Sequence, residues 1–306
     1  MFKLLSKESN IFSIPLYIGF LLMTVIAFNF MNYSTLDAIS GVITFSGTAL
    51  GYFLFNKMDL NQQSHLPLFL YTFFVFALYP GNLDIGISVT LLTNSFLLLI
   101  LTSENDQIRK NSYVLVGAIL AINFLFLPTT WPMVIFVIFH IIGTSDKIGI
   151  TILRLFFGMI LIFMNYFGLM YFFGNDSWDS RYLLFESLKP MTRFYPLYWL
   201  APILLLLLFS VFDHYRTYNK KSPRSKYKYG FLLLYTFAQL ITVVLYMGKR
   251  TEYLLFLALP VTIILSRMLR FRTDYRVSEV GLWLIIFSLI IFKFATYFTN
   301  LNLLDI

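Results

Sequence analysis

The chain has no cysteine. Disulfides, thiol nucleophiles and thiolate-held metals are therefore excluded, and no redox compartment is marked. Charge is scarce as well: acidic and basic residues make up 12% of the 306 residues, against roughly 25% in a soluble domain. Histidine occurs only as His65, His140 and His214, with no two on one predicted helix at ligand spacing. A metal site needs three or four convergent ligands, so none is expected, and no cofactor is implied. Phosphate-cradling glycine loops are missing, and so is the strict two-residue alternation of a membrane barrel.

What is present is apolar. Hydrophobic residues make up 58% of the chain, and continuous runs such as Pro202–Phe212 recur. So little polar surface cannot cover a soluble core, so lipid is the expected solvent. In lipid each backbone N–H and C=O needs an internal partner, which leaves helices as the spanning element. The predicted fold class is an all-α polytopic helical membrane protein of about eleven transmembrane helices, forming a single domain over residues 1–306. The expected spans lie near 11–31, 38–56, 66–80, 86–102, 112–127, 131–143, 149–173, 195–212, 229–247, 253–268 and 280–298. The pair at 112–143 is short, and reads as tilted partial spans or a re-entrant hairpin around Pro128 and Pro132.

Basic residues order this pattern. With the N-terminus inside, 16 of the 23 Lys and Arg fall in inner connections and five in outer ones, while Arg154 and Lys293 fall within spans. That is the positive-inside asymmetry, with a cytoplasmic N-terminus and a periplasmic C-terminus. The basic inner loop is 213–228, and the longest outer loop is 174–195. The net charge of +8 follows helix ends rather than a recognition helix. It points to anionic lipid headgroups as partner and away from nucleic acid. Lys3 and Lys7 precede a first apolar run long enough to span and without a small-residue cleavage site, so that run is expected to act as the targeting signal.

Two groups of residues invite chemistry. Tyr235, Gln239, Thr242 and Tyr246 recur at helical spacing toward Lys249, which places them on one face of the ninth span. A polar intramembrane face lines a cavity or bonds to neighbouring helices. On the outer side, Asp37, Asp84, Asp179, Arg181, Lys249, Arg250 and Glu252 share one compartment. Arg suits bidentate phosphate contact and a nearby carboxylate suits a general base, so convergence of these groups would hold a lipid phosphate. Asn94, Asn165, Arg154 and Lys293 read as helix glue or snorkelling groups. Gly47-xxx-Gly51 reads as a close-packing face.

Three stretches resemble a known family. They are GKRTEYLLFLALPVTIILSRMLR from Gly248, SEVGLWLIIF from Ser278, and GAILAINFLFLPTTWPMVIF from Gly117. They are similar to an uncharacterised family of polytopic inner-membrane proteins from Bacteroidota, a domain of unknown function. The resemblance implies a multi-pass protein of the bacterial cytoplasmic membrane. From the residues, the expected function is a component or scaffold in cell-envelope biogenesis that binds other membrane proteins or lipid. A polyprenyl-phosphate-dependent glycosyltransferase with Asp37 and Asp84 at its acceptor site, using a polyprenyl-phosphate lipid, is the first alternative. A transporter or lipid flippase along the Tyr235–Lys249 face is the second. The sequence leaves open whether the chain is an enzyme.

Overall fold

The structure, a computed structural model, describes residues 1–9, 12–29, 34–58, 64–103, 112–175, 182, 188–190, 195–220, 222–271 and 274–300. Its regular elements are helices, joined by short 3-10 turns. A short α1 (Phe2–Leu5) precedes α2 (Ser13–Asn29), α3 (Thr35–Met58), α4 (His65–Leu78), α5 (Ile85–Leu101) and α6 (Tyr113–Phe126). Then come α7 (Pro132–Thr144), α8 (Ile148–Phe172), α9 (Ala201–Arg216), α10 (Pro223–Tyr246), α11 (Leu255–Phe271) and α12 (Tyr275–Asn300).

Six segments are long and apolar enough to cross a membrane: Thr35–Phe55, Ile148–Phe172, Leu197–Arg216, Ser225–Tyr246, Thr251–Arg270 and Tyr275–Phe298. The other expected spans are apolar helices of 17 residues or fewer. Their ends are cut by turn chemistry. Gly81 at φ 91° and Asn82 at φ 38° break the chain between α4 and α5, since the left-handed region is open to Gly and accessible to Asn. Pro128 and Pro132, which lack an N–H, bracket the turn between α6 and α7. α6 and α7 hold 14 and 13 residues. At 1.5 Å per residue each is only about 20 Å long, short of the ~30 Å hydrocarbon thickness.

Contacts at the helix termini sort the bundle into two ends. At one end Asn29 binds Tyr79 and Asn82, Asp84 meets Arg250, and Lys293 reaches the Tyr79 carbonyl. At the other, Tyr227 meets His140 and the Leu101 carbonyl, and Phe2 N–H donates to Glu279. Successive helices from α2 onward therefore run in alternating directions. The segment 213–228 is mostly helix at this second end: α9 continues to Arg216, and α10 starts at Pro223 behind the Ser222 cap. There His214 stacks on Tyr229 at 3.8 Å between centroids, with Arg267 over the same ring.

α11 is the centre of the bundle, 83% buried along its most apolar stretch, whereas the corresponding stretches of α8 and α9 are 17% buried. It packs against α4, α9, α10 and α12. α3 and α5 pair closely because small residues let their backbones approach. Gly51 faces α4, where an added Cβ would lie 2.6 Å from the Tyr71 hydroxyl; against α5, one at Gly47 would lie 2.6 Å from Leu92 N. The same seam is polar: Thr44 donates to Ser88 at 2.8 Å, Ser40 meets Ser88 at 2.6 Å, and Ser95 donates to the Gly47 carbonyl at 2.8 Å. Such interhelical bonds average about 0.6 kcal/mol in membranes, so the seam specifies register more than it adds stability. α8 is attached mainly to α6. A Cβ at Gly117 would collide with the Leu155 carbonyl oxygen, and one at Gly158 with that of Val114.

Candidate functional site

The outer charges expected from sequence divide into three groups. Asp84 caps α5: its Oδ1 accepts the Gly86 N–H at 3.2 Å, and its Oδ2 meets Arg250 Nη1 at 3.4 Å. Arg250 is delivered by a tight stop to α10, where Gly248 takes φ 52° and Arg250 N–H returns to the Met247 carbonyl at 2.7 Å. Glu252 sits in the 3-10 turn Thr251–Leu254, half-buried, with Arg250 and Asp84 both acting on it electrostatically. These three form one cluster. Lys249 projects beside them, exposed.

Asp37 stands apart. It is held locally at the start of α3, accepting from Ser34 Oγ at 2.6 Å while its own N–H donates to the same oxygen at 3.1 Å. Asp179 and Arg181 lie outside the described residues.

The turn between α6 and α7 completes this end of the bundle. Thr129 Oγ1 is 3.3 Å from the Tyr253 hydroxyl, and Trp131 Nε1 donates to the Tyr246 hydroxyl at 2.6 Å. The proline turn thereby ties α10 to the Thr251–Leu254 turn and fixes where Arg250 and Glu252 emerge. Sequence reading had the turn but not this role. Thr129, Trp131 and Tyr253 carry no charge, and their partners are more than 110 positions away in the chain.

The structure buries all four residues of the α10 polar face, with Tyr235, Gln239 and Thr242 each 2% exposed and Tyr246 4%. Thr242 donates to the Ala238 carbonyl of its own helix. Tyr235 lies near Tyr71 of α4. Gln239 Oε1 has no hydrogen-bond partner among the described residues. A second polar group lies between α5 and α6, where Asn123 accepts from Thr93 and donates to Asn94 Oδ1 at 3.3 Å. Asn94 Nδ2 and Thr90 Oγ1 are buried without a partner among the described residues. Asn165 bonds within its own helix.

Lys293 is held rather than extended to solvent, with Nζ 4.0 Å from the Phe28 ring centroid. That is cation–π range. The histidines are dispersed: His65 near Tyr17, His140 against Tyr227 and Phe231, and His214 on Tyr229. Among the described residues no three His, Asp or Glu come together as metal ligands. What this end of the bundle offers chemically is a paired Asp84–Arg250 with Glu252 beside it, next to an exposed Lys249.

A family model described as a family of unknown function (DUF6427) matches residues 1–301. The chain belongs to that family. No curated protein and no solved structure matches it.

Proposed function

We propose that this member of DUF6427 is a multi-pass component or scaffold of the bacterial inner membrane, acting in cell-envelope biogenesis by binding other membrane proteins. In this reading about eleven helices lie in the bilayer, α6 and α7 as full spans or as a re-entrant pair, with the N-terminus in the cytoplasm and the C-terminus in the periplasm. The alternating helix directions and the basic residues at the Tyr227 end support that orientation. The resemblance of residues 248–290 to Bacteroidota inner-membrane proteins supports the compartment.

The observation that carries the reading is α8. A 25-residue apolar helix is fastened to the bundle along its Gly158 side, and Leu153, Phe157, Met164 and Leu169 remain exposed on the rest of its surface. A helix held along one seam leaves a whole flank that a second protein can cover by van der Waals packing. Photo-crosslinkers placed singly at Leu153, Phe157 and Met164 in native membranes test this. The expected result is one discrete protein adduct shared by the three positions and absent from matched sites at Phe20 and Met23 on α2. Lipid adducts alone, or the same adducts from both helices, overturn it.

The glycosyltransferase alternative has one observation in its favour, the grouping of Asp84, Arg250 and Glu252. Asp37 does not join that group. Full complementing activity of the Asp84→Asn and Arg250→Gln variants, each confirmed to be folded, would remove this alternative.

A further inference from the structure

α9 and α10 are consecutive in the chain but diverge. They meet at the Tyr227 end, through the His214–Tyr229 stack and the Ser210–Tyr229 contact at 3.3 Å. Toward the Arg250 end they part and leave a cleft of about 470 Å³. Leu204 of α9 forms one wall, and Leu240 and Val244 of α10 the other. Phe74 of α4 and Leu257 of α11 make the floor, and Met247 lies at the mouth. The only side-chain oxygen on the α10 wall, that of Thr236, is turned back to the Leu232 carbonyl at 2.7 Å. Apart from the Tyr198 hydroxyl at the start of the α9 wall, the cleft therefore offers hydrocarbon contact.

Its mouth has the opposite character. One residue past Met247, the Gly248 turn projects Lys249 out of the bundle. Lys189 is fixed against the same turn: its N–H donates to the Leu245 carbonyl at 3.1 Å, and its Cβ is 3.3 Å from where a Gly248 Cβ would stand. Both lysines are exposed, and neither makes an ion pair with a described residue. Two ammonium groups at the head of an apolar cleft match one class of molecule, an anionic headgroup on a hydrocarbon chain.

We propose that the α9–α10 cleft is a binding site for one acyl chain of an anionic glycerophospholipid, whose phosphate sits between Lys189 and Lys249. The volume, about 470 Å³, suits a single hydrocarbon chain laid along the cleft. Burial out of water supplies affinity, but a chain leaving bilayer hydrocarbon gains little of this. Retention therefore depends on shape and on the two lysines. The inference is independent of the partner-binding role of α8.

Native mass spectrometry of the full-length chain, delipidated in detergent and then offered phosphatidylglycerol, phosphatidylcholine or a long-chain polyprenyl phosphate, tests the site. One phosphatidylglycerol per chain should survive activation that strips phosphatidylcholine, with about a tenfold preference, or 1.4 kcal/mol. The double variant Lys189→Gln/Lys249→Gln should erase the preference. Val244→Trp and Leu204→Trp, at positions 44% and 50% exposed on the cleft rim, should reduce retained lipid of either kind. Val42→Trp on the exposed face of α3 should not, which separates cleft filling from a general effect on the fold. Equal retention of the two phospholipids, undiminished retention in the tryptophan variants, or preferred retention of the polyprenyl phosphate would each overturn the assignment.

Discussion

Replacing Gly158 with alanine drives a methyl group into the backbone of α6. The new Cβ would overlap the Val114 carbonyl oxygen and lie 3.0 Å from Ala118 N. Neither obstacle is the far end of a flexible side chain, so relief requires the two helices to separate. α8 offers its own control. Gly168, ten residues along the same helix, has nothing within 4 Å of a built Cβ. Both substitutions gain the same alanine helix propensity, about 1 kcal/mol. Their difference therefore isolates the steric cost. Overpacking costs about 1–3 kcal/mol, and a backbone obstacle on both sides of the seam puts Gly158→Ala in the upper half of that range. Reversible unfolding in mixed detergent micelles, followed by helicity, should place Gly158→Ala about 2–3 kcal/mol below Gly168→Ala. Gly117→Ala, which meets the Leu155 carbonyl from the other side, should behave like Gly158→Ala. The reasoning fails if the Gly158 and Gly168 variants agree within about 0.5 kcal/mol, the error of additivity between separate sites.

Three further outcomes are expected. Tyr246→Phe removes the acceptor of Trp131 Nε1 and should cost about 1 kcal/mol, measured in the same unfolding assay; an unchanged midpoint would show that the proline turn is held by other contacts. Asn123→Leu leaves Thr93 and Asn94 without their shared partner and should cost about 1–2 kcal/mol, whereas Gln239→Leu, which loses one contact to the Tyr235 hydroxyl while its Oε1 is already unpartnered among the described residues, should cost no more than about 1 kcal/mol. The reverse order would mean that Gln239 holds something the bundle needs. A double-mutant cycle on Asp84→Asn and Arg250→Gln should give a coupling of no more than about 1 kcal/mol, because the pair is half exposed. A much larger coupling would place the pair in a drier site than the structure gives it.

Several features were legible in the residues. Period and apolarity placed α2 through α12 close to their observed positions, because an apolar helix declares itself within its own twenty residues. The α10 polar face was legible for the same reason, since spacing alone puts Tyr235, Gln239, Thr242 and Tyr246 on one side. The Gly47–Gly51 face meets Leu92 and Tyr71 closely, as small residues at that spacing suggested. The lengths read less well. α4 through α7 are shorter than a full crossing, because Gly81, Asn82, Pro128 and Pro132 turn the chain before the apolar run ends. The candidate charges were the least legible. Asp84, Arg250 and Glu252 assemble while Asp37 is held by Ser34, and nothing in a list of outer-side charges separates these cases.

Apolarity and period alone establish an all-helical chain with segments long and apolar enough to cross a membrane, because both are local properties of the residues. Tertiary structure decided the rest: which helix is central, that α8 is fastened along one seam, that Trp131 meets Tyr246, and that α9 and α10 part into a cleft. Those outcomes depend on close approach between segments up to a hundred or more residues apart. Apolar helix surfaces are nearly interchangeable in sequence, so only their packing shows which of them meet.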